Sequence, residues 1–337
     1  MNVRVGLMGF GRIGRNLFRQ LYRRDDLTIE AISDVAEPQA LEYLLRYDTV
    51  LGRFPEKVHV RDGVLHCRGR ATRILAGREP GDVPWGSLGV DVVVEATARY
   101  RSRRELARHL EAGARRVILC APPTDPPDLT VIMGVNDAQL RLEHRIVSNG
   151  SCTAHCAAPL LTVLIEAFGV RRALLTTVHA YTSRDRLADV PDDDLRRGRA
   201  AAENIIPTTT NAAAMIQELI PALSGRLEAM AVNVPVPDGS LVDLTCWTER
   251  PADRDAVNAA VRAAAAGRLR GLLAYEEDPI VSSDVIGNPH SSVFDAGSTL
   301  VVGSDLVKTV SWYDNGWGYA CRVVDLIERF AAMEAAS

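Results

Sequence analysis

The amino-terminal part of the chain consists of short apolar runs separated by a turn and an amphipathic stretch. Residues 3–8 predict a buried strand, and residues 9–14 predict a turn. A helix is predicted to start within residues 16–22, ahead of a second strand at residues 28–32. These elements form one strand–helix–strand unit, the building block of a parallel sheet.

Three further apolar runs continue the alternation with polar or helical stretches, at residues 91–95, 116–119 and 130–133. A parallel sheet covered by helices on both faces requires such alternation. Residues 1–151 therefore predict a Rossmann-type domain with a doubly wound parallel sheet.

The length and composition of the apolar runs change after residue 151. Longer runs rich in valine, leucine and threonine occur at residues 172–178, 229–236 and 241–247, and they predict a mostly antiparallel sheet in an α+β domain over residues 152–318. The last segment, residues 319–337, has a helical pattern with its apolar residues on one side, and we expect it to pack back on the first domain. The predicted fold class is α/β.

Length, charge and cysteine content narrow the class of protein. A chain of 337 residues exceeds what one hydrophobic core usually supports. The net charge of -4, from 39 basic and 43 acidic residues, argues against nucleic-acid or membrane partners. We find no apolar run of about eighteen residues, no leader-like start and no CxxC pair among six cysteines. We expect a cytoplasmic protein with free thiols and small-molecule partners.

A glycine-rich turn between the first strand and the first helix predicts a dinucleotide site. Gly9, Gly11 and Gly14 satisfy the GxGxxG pattern, and Asp34 follows Gly14 by 20 residues at the end of the second strand. The glycines allow close approach of a pyrophosphate, while the carboxylate accepts hydrogen bonds from ribose hydroxyls. That carboxylate would repel a 2′-phosphate, so NAD is favoured over NADP.

The stretch SNGSCTAHC holds the candidate nucleophile, Cys152, at the predicted start of a helix over residues 153–167 that Pro159 interrupts. The helix dipole favours the thiolate form, and His179, at the end of an apolar strand, is a candidate base. A buried structural cysteine is the alternative. A metal site that adds His155 and Cys156 does not match a usual zinc spacing, and we predict no metal.

Seven stretches together resemble phosphorylating glyceraldehyde-3-phosphate dehydrogenases along essentially the whole chain: VGLMGFGRIGRNLFR, YLLRYDTVLGRF, SNGSCT, TVHAYT, LRRGRAAAENIIPTTT, VPVPDGSLVDLT and WYDNGWGYACR. Their order and spacing are more specific than any single motif. The resemblance implies a catalytic domain at residues 152–318 and a homotetramer in which the loop after Thr182 approaches a neighbouring cofactor.

The resemblance also implies residue roles. Cys152 attacks an aldehyde, His179 acts as base and oxyanion donor, a hydride passes to NAD, and inorganic phosphate cleaves the thioester. Further implied cofactor contacts are Arg12, Ile13, Arg78, Thr97, Cys120, Asn315 and Tyr319. The implied contacts of the attacking phosphate are Ser151, Thr153, Arg199 and Thr210, with Asn211 beside them, and Thr182 holds the substrate's own phosphate.

Two positions depart from the family pattern near the substrate phosphate. The family carries an arginine in place of Asn233 and an aspartate in place of Arg184. One hypothesis is that Arg184 supplies the missing guanidinium; the other is that the enzyme accepts a less charged aldehyde. The leading interpretation is oxidation of glyceraldehyde 3-phosphate. Alternatives are another aldehyde such as erythrose 4-phosphate, a specialised or inhibitor-resistant relative, and an NAD-binding scaffold without turnover.

Overall fold

The computed structural model describes residues 2–337, which form eighteen strands and seven α-helices. The helices are α1 (Arg12–Leu21), α2 (Pro38–Arg46), α3 (Arg103–Glu111), α4 (Cys152–Phe168), α5 (Ala212–Leu219), α6 (Arg254–Ala266) and α7 (Trp317–Ala336). The strands are β1 (Val3–Met8), β2 (Leu27–Ser33), β3 (Tyr47–Asp48), β4 (Gly52–Arg53), β5 (Val58–Arg61), β6 (Val64–Cys67), β7 (Arg70–Leu75), β8 (Val92–Glu95), β9 (Arg116–Leu119), β10 (Leu129–Thr130), β11 (Ile146–Ser148), β12 (Val170–Ala180), β13 (Ile206–Thr208), β14 (Leu227–Val234), β15 (Ser240–Thr248), β16 (Leu273–Glu276), β17 (Ser292–Val302) and β18 (Leu306–Tyr313).

One compact unit contains residues 2–131, 137–150 and 320–337. Its sheet has nine strands in the order β10-β11-β9-β8-β1-β2-β7-β6-β5. Neighbours from β10 to β7 are parallel, and β6 and β5 extend the sheet as antiparallel strands. The predicted Rossmann-type parallel sheet is confirmed, and the antiparallel extension after β7 is an addition that the sequence pattern did not indicate.

The predicted strand at residues 130–133 is shorter in the structure and lies at Leu129–Thr130. The backbone N–H of Val131 still donates to the Ser148 carbonyl at 2.8 Å, but that of Ile132 donates to the side-chain Oδ1 of Asn136, also at 2.8 Å. At Ile132 a side-chain oxygen therefore replaces the backbone acceptor of the neighbouring strand, and the hydrogen-bond ladder of the sheet ends there.

The second compact unit contains residues 132–136 and 151–319. Its seven-stranded sheet has the order β13-β14-β12-β15-β18-β17-β16. The pairs β12–β14 and β16–β17 are parallel, and the other four are antiparallel. The prediction of a second, mostly antiparallel sheet is confirmed. Together the two sheets confirm the predicted α/β fold class.

Helix α4 forms the centre of the second unit's core. Its apolar side chains are almost all buried, including Leu160, Leu161 and Leu164 at 0% exposure. The predicted interruption at Pro159 is wrong: the helix continues through it to Phe168. Loss of one backbone hydrogen bond at a proline costs about 3 kcal/mol, and burial of several leucines, each worth about 1.5–3 kcal/mol, outweighs it.

Residues 320–337 of helix α7 belong to the first compact unit. Within that unit Arg116 forms an ion pair with Glu334, and its guanidinium lies 4.6 Å from the ring centroid of Phe330. Across residues 2–337, no helix combines the length and the apolar character that a membrane crossing requires.

Candidate active site

The turn between β1 and α1 is shaped by its glycines. Gly9 has φ of 96°, a conformation that favours glycine, and a Cβ added to Gly14 would lie 2.3 Å from the Gly9 carbonyl oxygen. Gly11 is the N-cap of α1, and the first turn of this helix contains no acidic residue. The helix start therefore presents backbone amides and the positive end of the dipole, the arrangement that binds a pyrophosphate.

Asp34 lies immediately after β2 and is tied to the glycine turn. Its Oδ2 accepts from the backbone N–H of Phe10 at 2.7 Å, and its Oδ1 accepts from that of Ala36 at 3.0 Å. These bonds fix the carboxylate beside the turn, where the ribose of a dinucleotide would be held. The glycine turn and Asp34 are therefore candidates for the pyrophosphate cradle and the ribose acceptor that NAD requires.

Other predicted cofactor contacts follow the carboxyl ends of neighbouring parallel strands, which share one edge of the sheet. Arg78 follows β7 and is exposed. Thr97 follows β8, and its backbone N–H donates to the buried Glu95 carboxylate at 2.9 Å. Cys120 follows β9, where burial, and then the charge of Glu95, raise the pKa of its thiol. Arg12 and Ile13 are in the first turn of α1. Ligands of open α/β sheets bind at this edge.

Replacement of Asp34 tests the cofactor site. We expect Asp34→Asn to raise the Kd for NAD about ten- to hundredfold, because a charge-assisted hydrogen bond to ribose contributes about 1.5–3 kcal/mol. The preference for NAD over NADP should narrow as well, since the repelling charge is removed. Fluorescence titration with both cofactors measures this. Asp62→Asn, at an exposed acidic position in the same unit, is the matched control, and an unchanged Kd in Asp34→Asn would refute the assignment.

The predicted nucleophile and base are in contact. Cys152 is the first residue of α4, and the Ser151 hydroxyl caps the helix by accepting from the Ala154 N–H at 3.1 Å. The Sγ of Cys152 lies 3.5 Å from the Nε2 of His179. The thiol therefore has an adjacent base and the positive end of a helix dipole, the two features that activate a cysteine.

His179 is oriented by the strand on which it lies. It is the penultimate residue of β12, and its Nδ1 lies 2.6 Å from the carbonyl oxygen of Ala180. That bond assigns the proton to Nδ1 and leaves Nε2 facing the sulfur. Burial opposes the charged ring, but the Cys152 thiol, the Ala180 carbonyl and the charge of Asp185 together raise the pKa of His179.

Tyr313 is a buried residue of this site that the sequence pattern did not indicate. Its hydroxyl lies 3.0 Å from the Oγ1 of Thr153 and 2.8 Å from that of Thr177. Its ring packs edge-on against His179, with centroids 6.1 Å apart. Burial, and then the charge of Cys152, raise the pKa of Tyr313 well above its usual range, so the phenol stays neutral. The tyrosine joins the helix that carries the sulfur to the strand that carries the imidazole.

Asn315 is linked to the same strand end. Its Oδ1 accepts from the Ser240 hydroxyl at 3.1 Å, and the Ser240 oxygen accepts from the Ala180 N–H at 3.0 Å. These bonds fix the orientation of the Asn315 amide. A fixed orientation is what a hydrogen bond to the carboxamide of a nicotinamide cofactor would require. Tyr319, in the first turns of α7, has its ring centroid 6.1 Å from that of His155.

The predicted substrate-phosphate residues Thr182 and Asn233 are joined by a third residue, Asp185. This carboxylate accepts from the Thr182 N–H at 2.8 Å, from the Thr182 hydroxyl at 3.0 Å and from the Asn233 amide at 2.8 Å. Arg184 is exposed, and its backbone N–H donates to the Thr182 hydroxyl at 3.3 Å. Asn233 is thus bonded to an acidic side chain. The hypothesis that Arg184 supplies the missing guanidinium did not take this carboxylate into account.

The predicted residues for the attacking phosphate are less closely grouped. Thr210 accepts from the Ala212 N–H at 3.2 Å, and Asn211 is the N-cap of α5. The Nε of Arg199 lies 3.0 Å from an Asp189 carboxylate oxygen, and both side chains are more than half exposed.

The Nε of Arg197 instead donates to the hydroxyl of Thr208, on β13, at 2.8 Å. Strand β13 pairs with the strand that carries Asn233. The Nε of Arg197 also lies 3.6 Å from an Asp194 carboxylate oxygen, so Arg197 is a further candidate phosphate contact that, like Arg199, is paired with an aspartate. Among the residues described, no group of three or more His, Cys, Asp or Glu side chains is placed to hold a metal ion.

A Rossmann-type unit with a dinucleotide turn, and a second unit in which a cysteine at a helix start contacts a histidine, are typical of thiol-dependent nicotinamide dehydrogenases. Two family models match: the glyceraldehyde 3-phosphate dehydrogenase NAD binding domain at residues 3–103 and the C-terminal domain of the same enzyme at residues 151–315. The chain belongs to the glyceraldehyde-3-phosphate dehydrogenase family. The predicted resemblance and the predicted cofactor, NAD, are both confirmed.

Relatives from several bacteria match nearly the whole chain. A glyceraldehyde-3-phosphate dehydrogenase of Geobacillus stearothermophilus is 47% identical over 333 residues, which cover 98% of this chain and 99% of that protein. A glyceraldehyde-3-phosphate dehydrogenase of Mycobacterium avium is 47% identical over 334 residues, which cover 97% of this chain and 98% of that protein. The glyceraldehyde-3-phosphate dehydrogenase 2 of Streptomyces arenae is 48% identical over 328 residues, with the same coverage.

Proposed function

We propose that this chain catalyses the NAD-dependent oxidation of glyceraldehyde 3-phosphate, with inorganic phosphate, to 1,3-bisphosphoglycerate. The observation that carries the proposal is the 3.5 Å contact between the Cys152 Sγ and the His179 Nε2 at the start of α4. It occurs in a chain that matches dehydrogenases of this name along nearly its full length. An NAD-binding scaffold without turnover would not need to keep the two groups in contact.

The first step is attack on the aldehyde. The Cys152 thiolate forms a carbon–sulfur bond, and the carbonyl oxygen takes the proton held at the His179 Nε2, which gives a thiohemiacetal. His179 then accepts that hydroxyl proton as the carbon loses a hydride. The bond from Nδ1 to the Ala180 carbonyl keeps Nε2 facing the reacting oxygen throughout. NAD, when bound, supplies the hydride acceptor.

The second half of the reaction releases the acyl group. An oxygen of inorganic phosphate attacks the thioester carbon, the carbon–sulfur bond breaks, and Cys152 regains its thiolate as the acyl phosphate leaves. We propose that the phosphate is held by the hydroxyls of Ser151, Thr153 and Thr210 together with an arginine. Two arginines are candidates for this role: Arg197 contacts the Thr208 hydroxyl and is paired with Asp194, and Arg199 is paired with Asp189.

We also propose a cytoplasmic homotetramer. Large apolar side chains are exposed in the segment after the catalytic histidine, with Leu187 at 70%, Leu195 at 85% and Ile205 at 70%. Large apolar side chains with such exposure are typical of surfaces that associate. The family resemblance supports the proposal, because it implies that the loop after Thr182 approaches a neighbouring cofactor, and self-association would then cover these apolar side chains.

Phosphate dependence tests the reaction. We expect NADH formation from glyceraldehyde 3-phosphate to rise at least tenfold when inorganic phosphate is added, because phosphorolysis of the thioester replaces slow hydrolysis. The measurement is NADH absorbance with and without phosphate, with an acyl phosphate trapped as its hydroxamate. Equal rates in both conditions would favour a hydrolysing aldehyde dehydrogenase, with erythrose 4-phosphate as the next aldehyde to assay. Absence of NADH with every aldehyde would favour the scaffold.

A further inference from the structure

Three fully buried side chains form a hydrogen-bonded group inside the first compact unit, and we call Trp85, His109 and Glu95 the buried triad. Each has 0% exposure. The Trp85 Nε1–H donates to the His109 Nδ1 at 3.0 Å. Because an indole nitrogen only donates, Nδ1 must accept, and the neutral imidazole carries its proton on Nε2. That nitrogen lies 3.2 Å from the Glu95 Oε2, to which it donates.

The other oxygen of Glu95 holds the turn that follows β8. The Glu95 Oε1 accepts from the Thr97 backbone N–H at 2.9 Å and from the Thr97 hydroxyl. The oxygen of that hydroxyl accepts in turn from the Arg99 N–H at 3.1 Å. Ala98, between them, has φ of 55°, a left-handed conformation that is uncommon outside glycine and persists where surrounding contacts enforce it. The buried carboxylate anchors those contacts, so it sets the conformation of residues 96–99.

Residues 96–99 lie at the edge of the sheet where a dinucleotide binds. The strand order β9-β8-β1-β2 reverses between β8 and β1, and open α/β sheets bind their ligands at such a reversal. The turn after β8 is adjacent to the glycine turn after β1, since a Cβ added to Gly9 would lie 3.0 Å from the Thr97 nitrogen. Beyond the turn, the Tyr100 hydroxyl donates to the Arg78 carbonyl at 2.5 Å. The segment that Glu95 holds therefore adjoins two others that are predicted to contact NAD.

The stability of the sheet does not by itself account for the buried triad. Burial of a carboxylate is costly even when it is hydrogen-bonded, and apolar replacement of buried polar groups is often neutral or stabilising. An apolar side chain at Glu95 would avoid that cost, but it could not accept from Thr97 and hold the turn. A turn that is already ordered before the cofactor arrives binds more tightly, because less ordering remains to be done on binding.

We propose that Glu95 and His109 are positioning residues for the cofactor. The His109 Nε2–H orients the Glu95 carboxylate, and the carboxylate holds residues 96–99 in the conformation that NAD binds. Both side chains act through the turn, since they are buried beneath it and do not reach the cofactor themselves. The inference concerns NAD binding by the first compact unit and does not depend on the proposed chemistry of Cys152.

Two substitutions of His109 separate the two hydrogen bonds of its ring. In His109→Gln the amide nitrogen replaces Nε2 as the donor to Glu95, whereas in His109→Asn the amide oxygen replaces Nδ1 as the acceptor for Trp85 and the donor to Glu95 is lost. We expect His109→Asn to raise the Kd for NAD about tenfold and His109→Gln to raise it about threefold or less, although both lower the melting temperature. Isothermal titration calorimetry of the full chain with NAD gives the Kd, and scanning calorimetry gives the melting temperature.

Replacement of the carboxylate is the second arm of the test. Glu95→Gln offers one oxygen to three donors, so we expect it to raise the Kd for NAD about tenfold or more. Glu111→Gln, at an exposed position of the same unit, is the matched control and should leave the Kd unchanged.

The outcomes separate a positioning role from a purely structural one. Equal Kd values in His109→Gln and His109→Asn, or an unchanged Kd in Glu95→Gln, would overturn the proposal. If His109→Asn does not fold, Thr97→Val and Thr97→Ser decide the question, because valine keeps the branched shape without the hydroxyl that donates to Glu95 and serine keeps that hydroxyl. The Kd should then rise about tenfold in Thr97→Val and much less in Thr97→Ser, and equal values would refute the role of the carboxylate.

Discussion

Replacement of Cys152 by serine is expected to lower kcat for NADH formation by about four orders of magnitude or more. A hydroxyl beside His179 is a much weaker nucleophile than a thiolate, and the oxygen ester that it would form resists attack by phosphate. NAD binding should persist, because the variant leaves the glycine turn and Asp34 of the other compact unit unchanged. Initial rates and a fluorescence titration with NAD measure the two effects separately.

Cys156 provides the matched control for this variant. It lies one helical turn further along α4, is fully buried, and its Sγ is 3.6 Å from the Ser292 hydroxyl. Burial raises the pKa of Cys156 to about 12, so this thiol stays protonated at neutral pH and cannot replace the nucleophile. Cys156→Ser should keep kcat within a few-fold of the wild type. Retention of a hundredth of the activity in Cys152→Ser, or loss of NAD binding, would make Cys152 a structural residue.

The elements that depend on local sequence could be predicted. Strand β1 begins and ends at the predicted residues, Val3 and Met8, because an apolar run bounded by a glycine turn leaves few alternatives. The position of Asp34 at the end of β2 follows from the fixed length of a strand–helix–strand unit.

The rest of the site depends on pairing between distant segments. Tyr313 reaches Thr153 and Thr177 only because β18 pairs with β15, which places Ser240 opposite Tyr313. Asp185 meets Asn233 because β12 and β14, about fifty residues apart in the chain, are parallel neighbours in register. No spacing rule within one segment contains this information, so the sequence indicated Thr182 and Asn233 but not the carboxylate between them.

Replacement of the His179 imidazole is expected to have the second large effect on catalysis. We expect His179→Asn to lower kcat/KM about a hundred- to ten-thousandfold, the usual contribution of a positioned acid–base group. Asparagine can donate a hydrogen bond to the oxygen of the attacked aldehyde, but it cannot transfer a proton to it or take one back. Cys152 would also lose its 3.5 Å contact with the imidazole.

The pH dependence separates proton transfer from a structural role. The pKa of His179 is raised, so the ring keeps its proton to a higher pH than an ordinary histidine, whose pKa is about 6.5. The part of kcat/KM that needs a protonated ring is therefore complete below that pH and is lost only as pH rises through the higher folded-state value. His179→Asn should remove this dependence, whereas His155→Asn, the same substitution three residues after Cys152, should keep it. If the profile of His179→Asn kept the wild-type shape, the transferred proton would have to come from another group, and the neutral phenol of Tyr313, whose ring packs against His179, would be the next residue to replace.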